Sequence, residues 1–155
     1  VICCAVDRAR ADLLALPPMV QDNQDAKCTA FTVSVDLKDG TSTGISAADR
    51  AATLKALASP DATAASFTRP GHIFPLTAVE GGVLEREGHT EASVDLCKLA
   101  GSFPAGVLCE IVTDDASEMM RTPELIEFSK QHGLVLTSIQ DLRLYIKSLA
   151  SPSPA

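Results

Sequence analysis

Two patterns of apolar residues predict the strands of this chain. Residues 31–36 (FTVSVD) alternate between apolar and polar side chains, which is the period of a strand with one buried face. Residues 106–112 (GVLCEIV) are almost continuously apolar and predict a central strand buried on both faces. Further strands are predicted at residues 1–6, 41–45, 73–79 and 134–137. Because residues 73–79 contain Pro75, we predict an edge or irregular strand there.

Helices are predicted where apolar residues recur at helical spacing between start and stop signals. Pro17-Pro18 ends the first helix, and the run SAAD at 46–49 resembles a capping box that opens the second. Thr122 and Pro123 are typical of the cap and first turn of a helix. The predicted helices cover residues 7–16, 47–58, 91–100, 122–131 and 139–149.

The order of these elements predicts the fold class. Strands and helices interleave, which favours parallel pairing, but Asp39-Gly40 is a hairpin turn signal, which favours antiparallel pairing. We therefore predict an α+β protein, a three-layer α/β/α domain around a mixed twisted sheet.

The length of the chain sets the domain organisation. Its 155 residues suffice for one domain with a real core, which we assign to residues 1–150. Residues 151–155 (SPSPA) are predicted to be a tail or linker stub. The opening residues VICCAV contain no Met and resemble the inside of a buried strand, which predicts that the N-terminal part of the domain is missing.

Composition excludes several functional classes. The net charge of −7 argues against a nucleic-acid-binding protein but leaves room for a local basic pocket. No run approaches the roughly 20 apolar residues of a membrane span. No secretory signal is visible, so we expect a cytoplasmic or organellar protein that is not secreted. The five cysteines include no CxxC pair, which predicts free buried thiols in a reducing compartment.

The most chemically varied stretch is residues 86–92 (REGHTEA). Arg86 suits a phosphate or carboxylate, and a neutral His89 suits a metal or a proton transfer. Thr90 is equally compatible with a helix N-cap and with a substrate contact. The run His89-Thr90-Glu91 matches the H-x-E of zinc deaminases, but the later P-C-x-x-C that would supply zinc ligands is lacking.

Two other residues are candidates for proton transfer. Glu110 lies within the apolar run 106–112, where it is either a general base with a tuned pKa or a strand-end residue that turns to solvent. His72 follows Arg69-Pro70-Gly71 and is either a functional residue at the mouth of a strand or a surface histidine that closes a turn. We predict that His72, Glu110 and residues 86–92 meet around one small phosphorylated substrate.

Several longer runs, taken together, resemble one family. They are FTV at 31–33 with Asp36, TGISAADR at 43–50, RPGHIFPL at 69–76, GGVL at 81–84, RxGHTEA at 86–92, LAG at 99–101, PAGVLCE at 104–110 and Met120-Arg121. The combination covers nearly the whole chain and resembles the 3,4-dihydroxy-2-butanone 4-phosphate synthases of riboflavin biosynthesis. Members convert ribulose 5-phosphate to formate and 3,4-dihydroxy-2-butanone 4-phosphate, using Mg2+ (or Mn2+).

The resemblance implies a role for particular residues. His72 and Glu110 would be catalytic, His89 would be a metal ligand, and Cys3 would lie beside the pocket. The substrate would be bound by Arg86, Glu87, Gly88, His89, Thr90, Glu110 and Thr43. It also implies a homodimer with the pocket near the interface, so that His72 can serve the neighbouring subunit, and in some members a fusion to GTP cyclohydrolase II.

One feature of the family is lacking from these 155 residues. An acidic N-terminal motif supplies a further metal-ligand Glu, and no such motif occurs here, so we predict little or no activity for this fragment alone. The alternative interpretation is a non-catalytic dimeric phosphate-binding protein that has lost the metal site. A third is an unrelated α/β interaction domain. Neither nucleic acid nor a membrane is an expected partner.

Overall fold

The computed structural model describes residues 1–150, which separate into two compact units, Val1–Leu108 and the residues from Cys109 onward. The strands are β1 (Cys3–Val6), β2 (Val35–Leu37), β3 (Phe67–Thr77) and β4 (Ala105–Leu108). The helices are α1 (Arg8–Leu13), α2 (Ala47–Leu57), α3 (His89–Leu99), α4 (Thr122–His132) and α5 (Ile139–Ala150). The predicted tail at 151–155 lies outside the described residues, and the single domain over 1–150 stays a prediction.

The first unit is built on a mixed sheet with the strand order β2-β3-β1-β4. Strand β1 pairs in parallel with β3 and antiparallel with β4, while β2 pairs antiparallel with β3. All four residues of β1 are buried, as expected for a strand with neighbours on both edges and elements on both faces. The α+β class and the mixed sheet are therefore confirmed.

Helices cover both faces of this sheet. Successive side chains of a strand point to opposite faces. Cys4 and Val6 of β1 pack in one core cluster with Leu14, just after α1, and with Leu57 of α2. Ala5 packs in a second cluster with Val94 of α3. The predicted α/β/α layering is thus present in the first unit, with α1 and α2 on one side and α3 on the other.

The predicted central strand at 106–112 is wrong. Strand β4 ends at Leu108 and stands last in the strand order, and Val107 is 58% exposed. The central position belongs to β1. An apolar run indicates that a segment is buried but does not indicate which strands pair with it. It therefore could not distinguish a central strand from one at the end of the sheet.

For the segment around Pro75 the edge alternative is wrong, whereas the irregular one holds, because the register between β3 and β2 shifts. Strand β3 runs for 11 residues and lies inside the sheet, between β2 and β1. The backbone N–H of Phe74 donates to Ile2, on the β1 side, whereas the carbonyl of Pro75 accepts from Thr32 on the other side. In a parallel pair the N–H and C=O of one residue point to the same neighbour, so the donor that Pro75 lacks is not needed by β1.

Two predicted strands do not form. Residues 41–45 are a loop after a turn at Gly40, and residues 134–137 are irregular, with Val135 95% exposed. In the first case the backbone is held by a buried carboxylate instead of a strand partner, as described below. In the second, a run of four residues (LVLT) is too short to indicate whether a partner strand is adjacent.

The predicted helices all form, with ends shifted by a few residues. Asp7 caps α1 by accepting from the N–H of Arg10, and Ser46 caps α2 by accepting from the N–H of Asp49. For α4 the cap is Arg121 and not Thr122, and the N–H of Arg121 donates to Glu124. Within residues 1–150, no helix has the length and apolar character that crossing a bilayer would need.

Arg10 of α1 stabilises the C-terminal end of α2 through hydrogen bonds. Its side chain is only 3% exposed, and its guanidinium donates to the carbonyls of Leu57, Ala56, Ser59 and Ala62. The last carbonyls of a helix lack partners within the helix, so a buried cation there satisfies them and interacts favourably with the helix dipole. The guanidinium also lies 5.2 Å from the ring centroid of Phe103. Burial lowers the pKa of Arg10 from its ordinary value.

The five cysteines are free thiols, but the expectation that they are buried is only partly right. Cys3 and Cys4 are buried in β1, whereas Cys28 and Cys109 are exposed. Burial raises the pKa of the Cys4 thiol to about 12, so it stays protonated at neutral pH.

Candidate functional site

His72 is presented by an irregularity in β3. Val35 of β2 pairs with Ile73, but the next residue of β2, Asp36, pairs with Thr68. Residues 69–72 are therefore extra on β3 and bulge from the ladder. Bulges of this kind re-aim side chains and are frequent beside active sites. The His72 side chain is 41% exposed, so it can reach a ligand while its backbone is held by the sheet.

Asp36 holds His72 at two points. Its Oδ1 accepts from the backbone N–H of His72 at 2.8 Å, and its Oδ2 lies 2.7 Å from His72 Nδ1. The Asp36 side chain is only 11% exposed. Because an ionised carboxylate can only accept, the proton of a neutral imidazole lies on Nδ1, and Nε2 keeps its lone pair. The arrangement fixes both the ring orientation and the tautomer of His72.

The loop that contains Thr43 is joined to this pair. Gly44 has a φ of +81°, and a Cβ at this position would overlap the Asp36 carboxylate and lie 2.8 Å from His72 Nδ1. A glycine is therefore required both by the left-handed backbone and by the close approach. Gly44 thus brings the loop that contains Thr43 close to His72, and a role for Thr43 in lining a pocket stays a prediction.

Asp49, at the start of α2, holds the same loop in place. Its Oδ2 accepts from the hydroxyl of Ser42 at 2.9 Å, from the N–H of Ser42 at 3.2 Å and from the N–H of Gly44 at 3.0 Å. The hydrogen bond from the Ser42 hydroxyl is the main cause that holds the pKa of Asp49 below its ordinary value, supported by the two backbone donors.

This pKa shift predicts a pH dependence of stability. Since the folded-state pKa of Asp49 lies below the unfolded value of about 3.9, the stabilisation is present above that pH and is lost as the pH falls through the folded pKa. Urea unfolding between about pH 6 and 3 should therefore show a shallower loss of stability for Asp49→Asn than for the unmodified chain. The exposed Asp61→Asn is the control and should keep the unmodified slope. Equal slopes for Asp49→Asn and the unmodified chain would contradict the assignment.

Arg86 lies in a fixed position beside a fully buried carboxylate. Its Nη1 donates to Oε2 of Glu91 at 2.6 Å, and its Nη2 donates to the carbonyl of Lys27 at 2.8 Å. Arg86 is 26% exposed in its side chain, and Glu91 is 1% exposed. The other carboxylate oxygen of Glu91 accepts from the N–H of Val79 at 2.9 Å, just beyond the end of β3.

The remaining residues of the motif open helix α3. Gly88 is the N-cap, His89 is the first helical residue and is exposed, and Thr90 is buried in the first turn. The possibility that Thr90 is itself the N-cap is therefore wrong. Glu87 is exposed just before the helix. Backbone N–H groups at the start of a helix favour an anion, which agrees with the charge of Arg86 nearby in the chain.

Glu110 belongs to the second unit and lies two residues beyond the end of β4. Its side chain is exposed. The expectation of a carboxylate buried within a strand is thus wrong, and the strand-end alternative describes its position. That Glu110 meets His72 and Arg86 at one site stays a prediction.

The described residues do not form a metal site by themselves. Within residues 1–150 there is no group of three or more His, Cys, Asp or Glu side chains arranged to hold an ion. Mg2+ prefers an octahedral shell of oxygen ligands, which a single imidazole such as that of His89 does not provide. His89 can therefore be at most one member of a ligand set.

Three residues that shape the site were not assigned a role from sequence. Asp36 lies two residues after Ser34 in the alternating strand, so both polar side chains are on the same face. The Ser34 hydroxyl accepts from the N–H of Gly71, and the Asp36 carboxylate accepts from the N–H of His72. Two polar side chains on one face of a strand are a sequence signal that could have indicated a site there. The sequence indicates Asp49 only as a member of a capping box. Nothing local in the sequence indicates that Glu91 is buried.

Comparison with known proteins agrees with these features. A model of the 3,4-dihydroxy-2-butanone 4-phosphate synthase family matches residues 1–145. A 3,4-dihydroxy-2-butanone 4-phosphate synthase from Vibrio cholerae serotype O1 is 52% identical over 145 residues, which are 94% of this chain and 66% of that protein. The riboflavin biosynthesis protein RibBA from Salinispora arenicola is 55% identical over 144 residues, which are 93% of this chain and 34% of that protein.

Solved structures show the same fold. A crystal structure of 3,4-dihydroxy-2-butanone 4-phosphate synthase in complex with two magnesium ions matches with a TM-score of 0.90 and 44% identity, covering 95% of this chain and 73% of that one. This chain thus spans 66% of the Vibrio relative and about a third of the RibBA relative. On the match of residues 1–145 and on this structural likeness, the chain belongs to the 3,4-dihydroxy-2-butanone 4-phosphate synthase family.

Proposed function

We propose that this chain is the core of an Mg2+-dependent lyase that converts ribulose 5-phosphate to 3,4-dihydroxy-2-butanone 4-phosphate and formate, in riboflavin biosynthesis. The observation that carries the proposal is the contact of His72 Nδ1 with Asp36 Oδ2 at 2.7 Å. A protein that only binds phosphate has no need of an imidazole held in one tautomer. An enzyme that enolises a sugar phosphate does, because the reaction moves protons on and off carbon and oxygen.

His72 and Glu110 are the proposed proton-transfer residues. With its Nδ1 proton directed at Asp36, His72 offers Nε2 as an acceptor and, once protonated, as a donor. The exposed fraction of its ring gives access to a substrate. Glu110 would act as the second acid or base, which requires it to approach the same substrate.

Arg86 and the start of α3 are the proposed site for the charged end of the substrate. A guanidinium offers five N–H donors, of which two serve Glu91 and Lys27, so others remain for phosphate oxygens. Glu87, Gly88, His89 and Thr90 would complete this part of the site, and Thr43 would line the pocket beside His72.

A divalent metal is the proposed cofactor, as Mg2+ or Mn2+. It would stabilise the negative charge that develops on vicinal oxygens of the substrate. His89 is the ligand that this chain would contribute. Since the described residues hold no complete metal site, we propose that further carboxylate ligands come from an acidic segment of the kind that the family resemblance implies.

The proposal predicts different behaviour for two forms of the protein. The 155-residue chain, and the same chain joined behind an acidic N-terminal segment of the family type, are incubated with ribulose 5-phosphate and Mg2+, and formate is measured. We expect formate from the longer chain, with little or none from the shorter one. We also expect weak Mg2+ binding to the shorter chain by calorimetry, because its ligand set is incomplete.

Each other result has a definite meaning. Full turnover by the 155-residue chain would contradict its predicted inactivity. No formate from the longer chain, with ribulose 5-phosphate binding intact, would contradict the enzyme and leave the non-catalytic phosphate-binding protein.

Three further properties belong to the proposal. We infer a homodimer, in keeping with exposed apolar side chains on the first unit such as Val107 and Leu13, and a monomer in sedimentation experiments would contradict it.

We infer that the natural protein can carry GTP cyclohydrolase II as a further domain, since the RibBA relative is about three times as long as its matched segment. We infer a cytoplasmic or organellar location, which fluorescence microscopy of the tagged natural protein would test.

A further inference from the structure

The carboxylate of Glu91 is buried, which costs free energy for a charged group. A buried charge loses its hydration, which is tolerated only when both charge and hydrogen bonds are satisfied by the protein. Glu91 is 1% exposed, and each of its oxygens has one partner: Oε1 accepts from the N–H of Val79 and Oε2 from Nη1 of Arg86. A carboxylate that served only to favour a helix start could have stayed on the surface.

The bond to Val79 ties this carboxylate to the sheet. Val79 follows the end of β3 by two residues, so Glu91 links a fixed strand end to the guanidinium of Arg86. A second acceptor, the carbonyl of Lys27, holds Nη2 of the same guanidinium. Two acceptors on two different nitrogens fix the plane of the guanidinium, not only its location.

Gly88 makes room for this ion pair. A Cβ at Gly88 would overlap Nη1 of Arg86 and Oε2 of Glu91, and its φ of −112° is open to any residue. The glycine is therefore required by the space that the ion pair occupies and not by the backbone conformation. Because the overlapping atoms are the ends of two flexible side chains, Gly88→Ala would displace the pair and leave the backbone in place.

We infer that Glu91 is a positioning residue for substrate recognition: its buried carboxylate orients the guanidinium of Arg86 toward the phosphate of the substrate. The inference rests on the proposed role of Arg86 in binding a phosphorylated sugar. Glu91 does not touch the substrate and acts only through Arg86. A freely rotating arginine would lose more side-chain entropy on binding the phosphate, so fixing it beforehand strengthens binding.

The test is a double-mutant cycle read by calorimetric binding of ribulose 5-phosphate to the 155-residue chain. Glu91→Gln should weaken binding by about 10-fold, and Arg86→Ala should weaken it by about 100-fold or more. In the Arg86→Ala background, Glu91→Gln should have no further effect, because its route of action is gone. Gly88→Ala should weaken binding in the same way as Glu91→Gln.

Asp95 provides a matched control on the same helix. Its carboxylate accepts from the N–H of Val83 at 2.8 Å, much as that of Glu91 accepts from the N–H of Val79. Asp95 has no hydrogen bond to Arg86 among the described residues. Asp95→Asn should therefore leave the affinity for ribulose 5-phosphate unchanged, even if it lowers stability.

The failure of this inference differs from the failure of the proposed function. If Arg86→Ala leaves binding unchanged, the proposed phosphate site is wrong. If Arg86→Ala weakens binding but Glu91→Gln does not, or if the two losses add in the double variant, the phosphate site stands and the positioning role of Glu91 is wrong.

A second measurement tests the inference if the chain binds ribulose 5-phosphate too weakly for calorimetry. Nitrogen-15 relaxation of the Arg86 Nε–H reports how rigidly the guanidinium is held without any ligand. We expect a rigid Arg86 in the unmodified chain and in Asp95→Asn, and a mobile one in Glu91→Gln and Gly88→Ala. Equal mobility in all four would overturn the inference.

Discussion

Replacing Asp36 with Asn should lower kcat for ribulose 5-phosphate by roughly 10²–10⁴-fold in the form of the protein that produces formate, with little change in KM. The amide of an Asn can present N–H to His72 Nδ1, which would then have to carry the lone pair. The proton would move to Nε2, the nitrogen proposed to receive protons from the substrate. The side chains differ little in size, so the fold should survive.

A spectroscopic readout separates this effect from a loss of structure. Two-dimensional 1H–15N spectra of the histidine rings distinguish the two neutral tautomers. They should show the proton on Nδ1 of His72 in the unmodified chain, and on Nε2 in Asp36→Asn. The exposed Asp39→Asn, three residues further along, is the control and should change neither kcat nor the tautomer. An active Asp36→Asn enzyme with an unchanged His72 spectrum would remove His72 from the proposed mechanism.

Replacing Arg10 with Met should lower the free energy of unfolding by about 3–5 kcal/mol, a large share of the total for a domain of this size. Met fills a similar length of space but donates no hydrogen bond. The carbonyls of Leu57, Ala56, Ser59 and Ala62 would be left without their buried donor, and hydrogen bonds to a charged group contribute about 1.5–3 kcal/mol each before non-additivity. Urea unfolding measures the change.

Arg8 is a suitable control because it lies two residues earlier on the same helix and is exposed. Arg8→Met should change the free energy of unfolding by less than about 0.5 kcal/mol. If Arg10→Met were as mild as Arg8→Met, the end of α2 would not depend on the buried guanidinium.

Local signals were sufficient for the helices and for the first strand. The capping Ser46 with Asp49 and Gly133 after α4 act within a few residues, so the sequence alone locates these two boundaries closely. The Pro17-Pro18 signal is less exact, because α1 already ends at Leu13. The order of the strands was not predictable in this way. Residues 106–112 are as apolar as a central strand, yet β4 takes the end of the sheet, because the position of a strand depends on partners that are distant in sequence.

The same division holds for the candidate site. His72, Arg86, His89, Thr90 and Glu110 could be named from sequence because the motifs that contain them resemble a family. Their roles remain proposals. The residues that orient two of them could not be named, because the contacts are made by folding: Asp36 meets His72 across 36 positions of the chain.

By itself, the sequence determined the helices, the mixed α+β character and the family, because each of these is recorded in short-range patterns or in whole motifs. Only the tertiary structure decided which strand is central, that the loop at 41–45 is held by Asp49, and that Glu91 is buried against Arg86. The physical reason is common to all three. Burial and hydrogen-bond pairing are properties of the space around a residue, and that space is filled by segments brought in from elsewhere in the chain.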